Sequence, residues 1–249
     1  MTTTAAVLDR AQIVRCREAW TRVMSAFVPG LGALEETLCH AAEAVRGRPP
    51  GRVLDLGGGP GILAERMLRR WPAAAVSLMD IDPVLLALAR QALGGELRAI
   101  DGDLSSPDWA THAGRDHDLI TAVMTLHYLP PARVRACYAE ARRSLAPGGL
   151  LVVADLMPDD GVPSVMSALD PAPDEAAAEL AWAQWWNDLR ATRALRPLLA
   201  ERTAIFRERP PVEFTAPVSW HVTAAREAGF GEAGILWRSG RHAALAAVA

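Results

Sequence analysis

The chain has 249 residues, of which 51% are apolar and 22% charged, a size and composition that suit one large globular domain or one domain with a lid. Its formal net charge is −3, with arginine supplying all the basic charge, which argues against a broad phosphate-binding face and so against nucleic acid. Ile13, Cys16, Trp20, Met24 and Phe27 recur at helical steps and predict an amphipathic helix over 8–27, stopped by Pro29-Gly30. Leu34, Leu38, Ala42 and Val45 predict a second helix over 31–45, ended by Gly47 and Pro49-Pro50.

Val53 to Leu56 is a short apolar strand carrying one acid, Asp55, and it breaks into Gly57-Gly58-Gly59-Pro60-Gly61. Leu63, Met67 and Leu68 then repeat at helical spacing. Strand, glycine turn and helix in that order build a nucleotide site at the carboxyl end of a parallel strand, with helix amides aimed at the ligand. A dinucleotide fingerprint wants its third glycine where Ile62 stands. Here the third glycine is Gly61, two residues after Gly59, with Asp55 two residues before Gly57. This D-x-G-x-G-x-G pattern resembles the class I S-adenosylmethionine (SAM) methyltransferases. The resemblance implies that the loop (Gly57, Gly58, Gly59, Gly61) wraps the amino-acid end of SAM, and that Asp55 orients its ammonium. A glycine-rich turn without a ligand would have the same local sequence.

Ala75 to Asp80 predicts the second strand, and Asp82-Pro83 the cap and first residue of the helix after it. Asp80 ends a strand about twenty residues beyond the loop, where a ribose-binding carboxylate is expected, since one carboxylate accepts from both vicinal hydroxyls. The resemblance places Ile81 against the adenine. Leu97 to Ile100 predicts a third strand, followed by Asp101-Gly102-Asp103-Leu104. By resemblance Asp103 receives the adenine amino group and Leu104 lies beside it; a turn or cap aspartate is the alternative. Asp118 to Met124 predicts a fourth strand buried on both faces. Met124 and His127 at its end are expected to line the cofactor site. His127 is also the candidate general base, because a histidine near neutrality could take a proton from a hydroxyl or amine as the methyl arrives. His221 is a second candidate, in a predicted helix. Pro130-Pro131 begins a helix, Leu145 to Gly149 ends it, and Leu150 to Leu156 predicts the fifth strand. The N-P-P-Y sequence of amino-group and nucleobase methylators is absent after strand four, which lowers exocyclic nitrogen as the acceptor.

A proline-containing connector over 158–173 leads to a helical region from about 174 to 208, broken near Pro197. Trp182, Trp185, Trp186 and Leu189 share a face there. The family builds its acceptor pocket in such an insert, so Trp182 and Trp186 join Trp20, Met24 and Phe27 as candidate acceptor contacts; core packing explains the same stripes. The tail predicts a helix over 218–228 and a hairpin of strands 233–238 and 242–248. Arg226-Glu227-Ala228-Gly229-Phe230 and Ile235-Leu236-Trp237-Arg238 look like the end of small-molecule methyltransferases, and of the branch that includes carboxy-SAM synthase and wobble-uridine methyltransferase.

The expected fold is therefore a Rossmann-like α/β sheet of seven strands, mostly parallel with one antiparallel strand, and helices on both faces. Its expected parts are an N-terminal helical cap (1–48), a SAM-binding core (49–156), a helical insert (157–212) and a helix with hairpin completing the core (213–249). Cys16, Cys39 and Cys137 are odd in number and lack CxxC spacing, so no disulfide or metal site is expected. No apolar run is long enough to span a bilayer and no signal peptide is evident, so the expected compartment is the cytoplasm. The implied activity is methyl transfer from SAM, leaving S-adenosylhomocysteine, to a small-molecule acceptor, with a homodimer as the assembly to test. Three alternatives stay open: non-methylating SAM chemistry such as carboxy-SAM formation, tRNA modification, and a SAM-binding subunit without turnover.

Overall fold

The computed structural model describes residues 8–169 and 172–249. The expected connector over 158–173 takes in residues 170 and 171, and the expected cap takes in residues 1–7; these lie outside the described residues. Seven strands, β1 (Arg52–Leu56), β2 (Ala75–Asp80), β3 (Leu97–Asp101), β4 (His117–Val123), β5 (Leu145–Leu156), β6 (Glu232–Ser239) and β7 (His242–Val248), form one sheet. Its order is β3-β2-β1-β4-β5-β7-β6. The first five strands run parallel, and β7 is antiparallel to both β5 and β6. The order reverses between β1 and β4, which opens a crevice at their carboxyl ends.

Alternation along the strands separates two cores. Leu54 and Leu56 of β1 face Trp109, Tyr138 and Phe230 on one side of the sheet. Val53 and Leu78 face Leu34, Leu38, Met67 and Trp71 on the other. The helices that cover the first side include α5 (Trp109–Ala113), α6 (Pro131–Ser144) and α10 (Val218–Glu227); those on the second include α2 (Leu31–Arg46) and α3 (Ile62–Arg70). Cap chemistry follows the sequence. Asp82 accepts from the amides of Val84 and Leu85 at the start of α4 (Pro83–Leu93), with Pro83 in the first turn. Asp9 and Gln12 form a reciprocal capping box at α1 (Arg10–Phe27).

Two elements differ from expectation. Strand β5 begins at Leu145, because the Pro147-Gly148-Gly149 turn is absorbed into the ladder beside a register shift between His117 and Leu119. Gly149 permits this, since a Cβ there would fall 2.8 Å from the His117 carbonyl oxygen. Helix α5 was not among the expected elements, and its Trp109 is buried with the indole N–H given to Glu140.

A third cluster lies outside the sheet. Trp20 and Val23 of α1, Leu85 and Leu88 of α4, and Trp185, Trp186 and Leu189 of α8 (Ala172–Ala191) pack together. Trp20 meets Trp182 at 5.3 Å and Trp185 at 4.9 Å between ring centroids. The Trp185 indole donates to the Cys16 carbonyl at 2.9 Å. The N-terminal helix and the insert thus form one aromatic-cored layer packed on α4. Truncating Trp185 to alanine should cost about 3–5 kcal/mol of local packing. Hydrogen exchange is expected to lose protection in α1 and α8 while β1, β4 and β5 stay protected. Uniform loss across the sheet would show that the lid and core are one cooperative unit.

Candidate active site

The acids at the ends of β1 and β2 converge on the glycine loop. Asp55 is buried, and its Oδ1 accepts from Thr121 Oγ1 at 2.7 Å, from the residue opposite it on β4. Its Oδ2 is buried with no hydrogen-bond partner. A Cβ at Gly58 would fall 2.5 Å from that oxygen, so the backbone must be bare for the carboxylate to reach the loop. Asp80 Oδ2 accepts from the Gly59 amide at 2.8 Å, and Oδ1 from the Asp82 amide at 2.9 Å. Each Asp80 oxygen keeps a second lone pair for a further donor. Ile81 follows, half-buried.

Burial sets the charge state here. It raises the Asp55 carboxyl to about 7; the Thr121 hydrogen bond pulls it down, and the Asp80 charge pushes it further up. Asp80 rises to about 6, again first from burial, with its two amide bonds opposing and the Asp82 charge adding. A buried orphan acceptor beside a glycine loop, with a second carboxylate held at the next strand end, fits the ammonium and ribose of SAM.

At the third strand end Asp103 is engaged differently. Its Oδ1 accepts from the Ser105 amide at 2.8 Å, and its Oδ2 pairs with Arg209 at 3.0 Å. Leu104 is buried against α6, where its carbonyl takes hydrogen bonds from Arg133 and the Cys137 thiol. Met124 follows β4 at φ +52°, a left-handed conformation that a non-glycine residue rarely holds and that clusters at functional sites. With Asp155 it lines a narrow crevice walled by Val28, Trp237 and His242.

His127 lies just beyond, in a short 3-10 turn (Leu126–Tyr128). The chain leaving the insert fastens that turn, since Val212 N donates to the Tyr128 carbonyl at 3.0 Å and Phe214 N to that of His127 at 2.8 Å. His221 lies elsewhere. It is buried against Tyr138, at 3.0 Å from the hydroxyl, and burial lowers it to about 4.

Arginines tie the outer helices to the segments that follow β1, β2 and β3. Arg17 of α1 donates to the Pro60 and Gly61 carbonyls at 3.0 Å each and pairs with Glu65 at 2.7 Å. Arg202 of α9 (Arg196–Glu208) pairs with Asp82 at 2.6 Å while stacked 3.8 Å over Trp186. Arg209, just past α9, holds Asp103. Trp20 covers Gly59, where an added Cβ would lie 3.1 Å from the indole. Trp20, Met24, Phe27 and Trp182 are half-buried, and Trp186 is buried in the lid cluster with its indole N–H unpartnered. The structure thus brings Trp20 to the glycine loop and uses Trp182 and Trp186 to hold α8 to α1 and α9. Thr121, Arg17, Arg202 and Arg209 were missed in sequence reasoning. Only Thr121 left a signal there, a lone hydroxyl in a strand otherwise apolar at its centre.

Residues 53–149 match the family described as a methyltransferase domain. Among curated proteins the chain is similar to a trans-aconitate 2-methyltransferase of Methylobacterium nodulans, 38% identical over 45% of this chain and 40% of that one. It is also similar to a carboxy-S-adenosyl-L-methionine synthase of Chromohalobacter salexigens, 32% identical over 53% of this chain and 50% of that one. The match thus spans half or less of these relatives' length. Among solved structures, human N-acetylserotonin methyltransferase in complex with SAM superposes with a TM-score of 0.53 at 17% identity, over 86% of this chain and 51% of that one. That likeness is one of fold.

The raised Asp55 carboxyl makes stability depend on pH with a definite sign. An unfolded aspartate titrates near ~4, so between there and about 7 the folded protein holds the extra proton. This contribution is fully present below ~4 and is lost as pH rises through about 7. Urea midpoints are expected to fall from pH 5 to pH 8, and Asp55→Asn to flatten that fall. An unchanged slope in the variant would mean that Asp55 ionises freely in the folded protein.

Proposed function

We propose that this chain, which carries a class I SAM-dependent methyltransferase domain, transfers the methyl group of SAM to a small-molecule acceptor. The observation that carries the reading is the unpaired, buried Asp55 Oδ2 beside a glycine loop that a side chain would fill. When bound, SAM supplies an activated methyl on sulfur, ready for in-line displacement. The residues then have positional tasks. Asp55 orients the ammonium, Asp80 accepts from the ribose hydroxyls, and Ile81 and Leu104 flank the base. Met124 and His127 face the methyl end, and the lid of α1, α8 and α9 excludes water. Holding a nucleophile at attack distance in such a site can supply about 7–11 kcal/mol of the acceleration without covalent help.

A second reading has its own support. The similarity to a carboxy-SAM synthase covers more of the chain than the similarity to the trans-aconitate enzyme does. Native mass spectrometry of the purified protein separates the two. S-adenosylhomocysteine as the bound molecule favours methyl transfer and carboxy-SAM favours the second reading, while SAM confirms the cofactor and moves the search to acceptors. Asp80→Ala removes a charged partner of the ribose, and hydrogen bonds to a charged group contribute about 1.5–3 kcal/mol. SAM affinity measured by calorimetry should fall about 10- to 100-fold in that variant, with the far-ultraviolet dichroism unchanged. Equal affinity in both proteins would remove Asp80 from the site.

A further inference from the structure

Asp80 and Asp82 stand where β2 ends and α4 begins, and both are buried. One hydrogen bond joins them, from the Asp82 amide to Asp80 Oδ1 at 2.9 Å. Asp82 Oδ1 accepts from the Val84 amide at 2.9 Å and the Leu85 amide at 3.4 Å, so that oxygen is committed to the cap of α4. Its Oδ2 accepts from Arg202 Nε at 2.6 Å, across 120 residues of chain. Arg202 is itself held on two faces. Its guanidinium carbon lies 3.8 Å from the centre of the Trp186 ring of α8 and 4.7 Å from that of Phe206 of α9. A planar, permanently charged fork can stack on a ring and donate along its edge at once, which an ammonium cannot.

Neighbouring carboxylates kept out of water ionise together only at a cost, and a cation on one of them offsets it. The ionisation of Asp80 matters because an ionised carboxylate only accepts, and so can take both hydroxyls of a vicinal diol. We propose that Arg202 is a positioning residue for the cofactor: by fixing and neutralising Asp82, it keeps the Asp80 carboxylate in place as the acceptor for a ribose diol. This rests on the SAM-binding reading above. The α9 part of the insert would then serve the adenosine half of the ligand without touching it.

The surrounding charges agree. Burial is the largest influence raising Asp80, and the Asp82 charge adds to it. Burial also raises Asp82, and Arg202 leads the groups that pull it back down. The other titratable groups around Asp80 are Asp55 on β1, Asp101 opposite it on β3 and Tyr128 at the end of β4, with Glu179 of α8 facing Tyr128. His127, beside Tyr128, is taken up by Asp155, 2.7 Å from its Nδ1. Among cations, Arg17 of α1 is engaged by Glu65 and the loop carbonyls, and Arg209 by Asp103. Arg241 lies at the turn into β7, four strands from β2. Arg202 is the cation that meets Asp82. Without it the two acids would share a proton to higher pH, so the loss of affinity should be largest at the acid end and fade as pH rises.

Calorimetry with S-adenosylhomocysteine as the probe tests this from about pH 6.5 to about pH 8.5. Each variant's affinity is taken relative to the unmutated protein, so that the ligand's own titration cancels. Arg202→Met should bind about 10-fold more weakly near pH 7 but within about 2-fold near pH 8.5, as expected when a charge partner is lost. Arg202→Lys should recover part of the affinity. Asp82→Asn keeps a cap but removes the charge, so in that background Arg202→Met should cost less than about 3-fold. A deficit equal at every pH and not rescued by Asp82→Asn overturns the proposal, and leaves Arg202 as a packing residue of α9. Should Arg202→Met lose its far-ultraviolet dichroism, Arg202→Gln carries the same comparison, since it can still donate to Asp82 without the charge. A second measurement needs no ligand. In carbon-13 spectra of aspartate-labelled protein, with Asp80 assigned by Asp80→Asn, its carboxyl carbon should titrate at higher pH in Arg202→Met than in the unmutated protein. Coincident titrations overturn the proposal. If the unmutated protein ignores S-adenosylhomocysteine, the SAM-binding reading fails instead, and the carboxyl titration still decides whether Arg202 governs Asp80.

Discussion

Asp55 and Asp80 are held out of water at the ends of neighbouring parallel strands, and the arrangement around them follows from that. A buried carboxyl without full partners costs free energy, and both groups are pushed up into the range of neutral pH as a result. Thr121 satisfies one Asp55 oxygen and the amides of Gly59 and Asp82 satisfy Asp80, but Asp55 Oδ2 is left over. The protein therefore carries an instability that a cation seated in the glycine loop would relieve. Since such a ligand favours the ionised carboxyl, binding and deprotonation are linked.

The lid is tied to this centre by charge as well as by packing. Arg17, Arg202 and Arg209 each reach the segment that follows one of the first three strands, and each meets an acid there. Arg202 is doubly fixed, since its guanidinium stacks on Trp186 and on Phe206 at 4.7 Å while it pairs with Asp82. Ion pairs of this half-buried kind hold geometry more than they add stability. The loops after β1, β2 and β3 and the outer helices are in this way set in one register, and the chain at residues 212–214 pins the His127 turn in the same frame. A displacement of α9 would be transmitted to the start of α4 through Asp82, and to the His127 turn through residues 212–214.

What could be read from the sequence was whatever obeys local rules. The strand and glycine pattern around Asp55, the cap of α4 at Asp82-Pro83 and the break before α9 at Pro197 all depend on neighbours in the chain, and they lie as expected. The antiparallel hairpin was legible because β6 and β7 adjoin through Ser239-Gly240. Long-range partners were not. The Asp55–Thr121 bond joins residues 66 apart and the Arg202–Asp82 bond residues 120 apart, and no periodicity encodes either. The tryptophan stripe shows the limit most clearly. Its spacing predicted a shared face, but whether that face meets an acceptor or another helix is decided by where α1 docks, and here Trp20 and Trp185 close on each other.

Asp155 marks a signal that lay in the sequence. It has the same form as Asp55 and Asp80, one acid at the end of an apolar strand that is otherwise buried. An acid survives in that position only when donors are waiting, and parallel strands that end at a switch point collect those donors from the loops beyond them. For Asp55 the donor is a hydroxyl, with the second oxygen left unpartnered; for Asp80 they are amides; for Asp155 they are two amides and an imidazole. The nature of the donor separates the roles. Amides fix a carboxylate in place, an unpartnered oxygen leaves room for a further donor, and an imidazole bound through one ring nitrogen is held in one orientation. Three acids placed by one structural rule thus end up with three different sets of partners around a single crevice.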